Sequence, residues 1–124
     1  MAKLVHDDVL DAALDKVATC THLTFCSSQP ANYSGIAAVA LVAATLTAGD
    51  GNGDYTVADN TSGRKVTVGA QTGMTPSANG TVTYAVLDDG TTLLAATPVT
   101  SAAVTTAQTW NSPAFIGLTI ADPS

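Results

Sequence analysis

The sequence predicts a mainly β protein: a β-sandwich, immunoglobulin-like or jelly-roll-like, with one N-terminal helix. Three observations carry this. Strand-forming Thr and Val dominate the second half of the 124 residues, and Gly, Asn and Asp punctuate it. Short β runs recur there at the spacing of sandwiches and barrels. Residues 7–18 are the one segment with a clear apolar stripe at helical period. The expected organisation is one globular domain, with a helical segment over 1–21 and the sandwich over 22–124.

In the helix, Leu10, Ala13, Leu14 and Val17 form the stripe, and Asp8, Asp11 and Asp15 fall on the opposite, wet side. Asp7 or Asp8 is the expected cap, and acidic groups near the start complement the helix dipole. His22–Cys26 reads as the first strand. Ser27-Ser28-Gln29-Pro30 is a loop, because Pro30 forces Gln29 to be extended. Residues 36–46 fit either state: the alanines permit a helix, while Val39, Leu41, Val42, Thr45 and Leu46 permit a strand. The β signals on both sides favour the strand, which would end in the Gly49-Asp50-Gly51-Asn52-Gly53-Asp54 turn.

Further strands are expected over Tyr55–Ala58, Lys65–Gly69, Thr81–Leu87, Thr91–Thr97, Ala102–Thr105 and Ala114–Ile120, with Asp122-Pro123 ending the last. The hairpin within Gly80–Thr100 is the most sharply specified. Asp89-Gly90 suits a two-residue primed turn. That turn would pair Val86 with Leu93, Tyr84 with Ala95 and Val82 with Thr97 on one face. Thr83, Ala85, Leu87, Thr92, Leu94 and Ala96 would form the other, so both faces of the hairpin are coverable.

Composition narrows the function. Hydrophobic residues make up 46%, aromatics 5% and charged residues only 11%, where about a quarter charged is usual. The surface must then be Thr, Ser, Asn and Ala, which repels neighbours weakly and suits a protein packed against others. A net charge of −6, with Lys3, Lys16, Arg64 and Lys65 as the only basic residues, argues against nucleic acid. Every acidic residue is Asp, and Glu, the commonest carboxylate general acid, is absent. The 36–46 run is too short to span a bilayer. Met1-Ala2-Lys3 leads straight into a charged segment without a long apolar stretch, so synthesis in a cytoplasm is the expectation.

Candidate chemistry is sparse. Cys20 and Cys26 read most simply as buried small hydrophobes, thiols in a cytoplasm, with a disulfide as the alternative. With His22 they lack a fourth metal ligand. His6 beside Asp7 and Asp8 suggests capping or an ion pair. Asp50 to Asp54 resembles the start of a calcium loop, but Tyr55 and Thr61 stand where that loop needs Gly and an acidic residue. Ser62-Gly63-Arg64-Lys65 gathers half the basic charge and fits an acidic patch better than a phosphate. Trp110 is either an interface anchor or a core plug. No carboxylate pair, nucleotide loop or nucleophile elbow is present, so no enzyme, cofactor or metal is expected. Trp110, Tyr33, Arg64 and Lys65 are the candidate interface residues.

Three segments carry a resemblance: Leu23-Thr24-Phe25-Cys26-Ser27-Ser28-Gln29-Pro30-Ala31-Asn32-Tyr33, Ser62-Gly63-Arg64-Lys65-Val66-Thr67-Val68, and the hairpin through Leu94-Ala95-Ala96-Thr97. With the ending Phe115-Ile116-Gly117-Leu118-Thr119-Ile120-Ala121-Asp122-Pro123 they are similar to small virion structural proteins of tailed bacteriophages and prophages. The likeness spans most of the chain, including the Leu-x-x-Ala-Leu helix. Residues 36–48 depart from it, with an Ala/Val run in place of a more polar strand. The resemblance implies a capsid decoration or cement protein on the head surface, binding the major capsid protein as a homo-oligomer, a trimer at capsid three-fold sites. A neck, collar or tail-fibre attachment component is the alternative. A host-surface carbohydrate-binding module is the third, resting on Trp110, Tyr33, Tyr55 and Tyr84.

Overall fold

The computed structural model describes residues 6–60 and 63–120. The expectations for Met1 to Lys3, Thr61, Ser62 and Asp122-Pro123 lie outside the described residues, as does the side chain of Asp7. The protein is mainly β with antiparallel sheets and an N-terminal helix in a sandwich-like arrangement.

Helix α1 spans Asp7–Val17. Its cap is His6, whose Nδ1 accepts the Asp8 backbone N–H at 3.1 Å, in place of an Asp. Leu10, Leu14, Val17 and Ala18 are buried, whereas Ala13 of the expected stripe is exposed. Asp11 is not on a fully wet face: it accepts two hydrogen bonds from Arg64, at 2.7 and 3.2 Å. Leu14, fully buried, anchors the helix in the main core, and α1 lies against the second sheet described below.

Strand β1 (His22–Cys26) follows. Residues 36–46, expected as one strand, divide in two. After a 3-10 turn at Tyr33–Gly35, braced by Asn32 Oδ1 accepting the Gly35 N–H, a single helical turn α2 covers Ile36–Val39. Strand β2 then runs Ala40–Thr45. The helical half lets Ile36 bury against the outer face of the sheet that β2 joins.

The remaining strands are β3 (Tyr55–Asp59), β4 (Arg64–Val68), β5 (Gln71–Met74), β6 (Gly80–Asp88), β7 (Leu93–Val104), β8 (Trp110–Ser112) and β9 (Phe115–Ile120). One sheet has the order β2-β1-β6-β7 and the second β3-β4-β9, while β5 and β8 pair separately. One core fills the space between them. Phe25, Leu23, Val42, Val82, Ala85 and Leu87 of the first sheet meet Tyr55, Val66 and Val68 of the second. Strands β5 and β8 were not expected; Gly73, at φ +68°, and the short Trp110–Ser112 run hide them from pattern reading.

The hairpin register differs from the expected one. Val86 pairs with Ala96, Leu87 with Ala95, and Asp88 with Leu93. Asp89 does not take positive φ, so the primed turn does not form; only Gly90 does, at +98°. Instead the Asp89 carboxylate accepts hydrogen bonds from the Thr91 and Thr92 N–H groups at 3.0 and 2.8 Å, closing a four-residue loop. The slip is odd-numbered, so β7 turns over relative to β6. Ala95 now packs on the main core and Ala96 on the outer face. Further along, Val99, Thr100 and Ser101 stand opposite Thr83 alone, forming a bulge next to Pro98. Pro98 fits because β7 is an edge strand.

Two predictions test this packing. Leu14→Ala is expected to cost about 2–5 kcal/mol in denaturant unfolding, as a fully buried leucine deletion; Arg64→Met, which keeps the stem, is expected to cost less. Backbone hydrogen bonds from Thr91 and Thr92 hold the Asp89 carboxyl below its usual range. Its stabilising contribution is therefore present above the unfolded carboxylate pKa and lost as pH falls through the lower folded value. In thermal melts between about pH 6 and pH 2, Asp89→Ala is expected to be less stable at the upper end and to show a shallower acid slope.

Candidate functional site

The expected interface residues do not converge. Arg64 is spent within the chain: Nε and Nη2 hold Asp11, and Nη1 donates to Asp59 at 2.6 Å. These carboxylates raise the guanidinium above its usual value. The acidic patch expected for Arg64 thus lies on this chain, and it ties α1 to β4. Lys65 is half-buried on β4, paired with Thr119 and Ala58. Tyr33 is exposed in the 3-10 turn, and Trp110 sits on β8, half-buried.

Trp110 plugs the core on one side and lines a cleft on the other. Its ring packs edge-on to Phe25 with centroids 4.8 Å apart, and Phe115 meets Phe25 at 6.1 Å. The other side of this aromatic group lines a cleft of about 560 Å³. The cleft has a structural origin. Strands β7 and β9 are the edges of their sheets and run near one another without hydrogen-bonding. The gap between them is the seam where the sandwich stays open. Pro98, Val99, Thr100 and Ser101 form one bank, and Pro113 to Ile116 the other. Ile116 is 45% exposed and Leu118 36%, so β9 presents large apolar side chains to solvent. The seam carries no ionisable side chain among its lining residues.

A second cleft, of about 400 Å³, lies on the outer face of the β2-β1-β6-β7 sheet. His22, Thr24, Ala40, Ala43 and Asp88 come from the sheet, and Tyr33, Ser34, Ile36 and Ala37 from the segment laid over it. His22 and Asp88 are cross-strand partners, with Nδ1 3.5 Å from Asp88 Oδ1. Sequence reasoning missed Asp88, because as half of an Asp-Asp-Gly run it reads as a turn residue.

The cysteines are free and buried, so the disulfide is not formed. Cys20 belongs to the main core and Cys26 to the outer-face cluster. Burial pushes the Cys20 thiol up to about 12, with Asp88 and Asp89 adding to it. Burial alone takes Cys26 to about 11. Both stay protonated and poorly nucleophilic at neutral pH. The carboxylates of the Asp50–Asp54 loop are engaged within the chain: Asp54 accepts the Thr47 N–H at 2.6 Å and the Gln71 side-chain amide at 3.2 Å, and Asp50 the Val57 N–H at 2.9 Å. No group of three potential metal ligands occurs among the described residues, and none of their helices is long and apolar enough to cross a membrane. Tyr55, a candidate glycan contact, is fully buried and donates to Cys20 O at 2.7 Å.

No family model, curated protein or solved structure matches this chain.

The thiols supply a direct test of the packing around both clusters. A chromogenic disulfide reagent at neutral pH is expected to leave Cys20 and Cys26 unmodified in the folded protein and to titrate both in denaturant. Prompt reaction of either in the folded state would contradict the burial.

Proposed function

We propose that this chain is a virion structural protein, a capsid decoration or cement protein that binds the major capsid lattice and stabilises the head. The observation that carries the reading is the open seam between β7 and β9. It is a largely apolar, aromatic-floored cleft beside a strand edge unpaired among the described residues, and no ionisable side chain lines it. Such a surface is suited to being covered by a partner.

The docking chemistry follows from the two edges. On the β7 side, Pro98 and the Val99–Ser101 bulge interrupt the ladder and block sheet extension. On the β9 side, Phe115–Ile120 has one edge paired to β4 and, among the described residues, one edge unpaired. An extended segment of a capsid subunit would add to β9 through backbone hydrogen bonds. Its side chains would bury Ile116 and fill the space over Trp110. A charge-poor surface suits that contact, since little desolvation opposes it. Repetition over a symmetric lattice would turn a modest single contact into stable coating. The likeness of the three sequence segments and the ending to phage virion proteins supports the same reading.

Purified protein is expected to bind expanded, empty capsids of its cognate major capsid protein and to raise their melting temperature. Ile116→Asp, which places a charge in the seam while leaving the core untouched, is expected to weaken binding by about 2 kcal/mol, roughly thirtyfold. Copy number per virion separates head from neck: hundreds of copies support decoration, whereas about six or twelve would move the protein to a ring at the neck. Binding to glycans that is lost in Trp110→Ala, with no binding to capsids, would replace this reading with a carbohydrate module.

A further inference from the structure

Three polar residues are buried among the described residues: Thr24, Asp88 and Ser112. Ser112 donates its hydroxyl hydrogen to Pro113 O at 3.0 Å. The other two line the same place, the outer-face cleft beneath the Tyr33–Val39 segment. The Asp88 side chain is only 6% exposed. Its contacts among the described residues, the Gly90 N–H at 3.0 Å and His22 Nδ1 at 3.5 Å, both fall on Oδ1. Oδ2 and the Thr24 hydroxyl form no hydrogen bond with a described residue. Among the described residues no fully sealed side-chain polar atom lacks a partner, so both groups keep some exposure, and both residues line the cleft.

The pairing pattern sets these groups on one surface. His22 is opposite Asp88 and Thr24 opposite Val86, so Thr24 and Asp88 are diagonal neighbours on the outer face. Around them the walls are mainly apolar, from Ile36, Ala37, Ala40 and Ala43, with His22 and Ser34 also lining the cleft. At the rim stands Tyr33, 42% exposed. A buried carboxylate, a second acceptor, an aliphatic channel and an aromatic rim match one kind of occupant. It has a long apolar stem, a cationic head with several donors, and an affinity for an aromatic face.

We propose that this cleft receives one lysine or arginine side chain from a partner protein, with Asp88 as its counter-ion. The charge balance supports a partner as the source, since the chain carries −6 overall and its Arg64 is already held by Asp11 and Asp59. The site lies on a different sheet face from the β7–β9 seam and does not depend on the docking reading of that seam. Its bland alternative is that Asp88 serves only the turn, through the Gly90 N–H.

The test titrates the isolated chain with n-butylammonium, n-butylguanidinium and the neutral butan-1-ol, followed by backbone amide NMR. The two cations are expected to shift the Gly90, Ala37 and Ala43 amides saturably, with dissociation constants on the order of 1–10 mM for so small a probe. Butan-1-ol is expected to bind at least tenfold more weakly. Asp88→Asn keeps an oxygen for the Gly90 N–H but removes the charge, and is expected to weaken cation binding at least tenfold. Tyr33→Ala is expected to weaken it less. A tighter response to the guanidinium points to arginine and to the ammonium, lysine. Equal binding of butan-1-ol and the cations, no saturable shift, or an unchanged affinity in Asp88→Asn overturns the proposal. If Asp88→Asn fails to fold, the cation-against-alcohol comparison on the unaltered chain decides.

Discussion

The pairing of β1 with β6 is the constraint on which the rest of the molecule depends. These are the two central strands of the larger sheet, and both are covered on two sides. Leu23, Phe25, Ala85 and Leu87 point into the core against the smaller sheet. Cys26 and Val86 point the other way, beneath Ile36. A fully buried aliphatic side chain is worth about 1.5–3 kcal/mol relative to exposure. The two faces also differ in chemistry: a slip of one residue would turn Asp88 into the core and Leu87 out of it, so the register of β1 and β6 is held firmly. The edges, β2 and β7, are free to be irregular: each has a register shift against its central neighbour.

Few charges serve this protein, and most of the carboxylates described act on its own chain. Asp89 closes the β6–β7 loop, Asp50 and Asp54 brace the glycine-rich loop before β3, and Asp11 and Asp59 share Arg64. Asp50 and Asp54 supply acceptors where Gly49, Gly51 and Gly53 take positive φ and the backbone lacks ladder partners. A surface left mainly to Thr, Ser and Ala follows. It is suited to contact over a broad area, with little charge to desolvate.

The two clefts arise from opposite causes. The β7–β9 seam exists because the sandwich does not close, and its chemistry is that of uncovered core: Trp110, Phe25 and Phe115 beside a strand edge unpaired among the described residues. The outer-face cleft exists because a short helical segment covers the sheet incompletely, leaving a carboxylate and a hydroxyl at its floor. The two clefts therefore differ in chemistry and lie on separate faces of the larger sheet. Neither arrangement requires a moving part.

The sequence by itself determined the β class, the N-terminal helix and the positions of β1, β3, β4, β6 and β9 to within a residue or two. Period and turn chemistry are local, and those segments follow them. Tertiary contacts decided the rest. Residues 36–39 are helical because Ile36 can then bury on the sheet's outer face, a gain invisible to a strand-forming run read alone. The hairpin register turned on the Asp89 side chain capturing the Thr91 and Thr92 amides in preference to a tight primed turn. The sequence expects Arg64 to meet an acidic patch, but only the fold brings Asp11, 53 positions earlier, within 2.7 Å of it. Trp110 stands out in the sequence, but the cleft beside it does not, because the seam is made by two edges remote in sequence. Asp88 reads as one more turn aspartate; only the folded sheet sets it beside His22 and Thr24 and under Tyr33, where its buried charge acquires a surrounding.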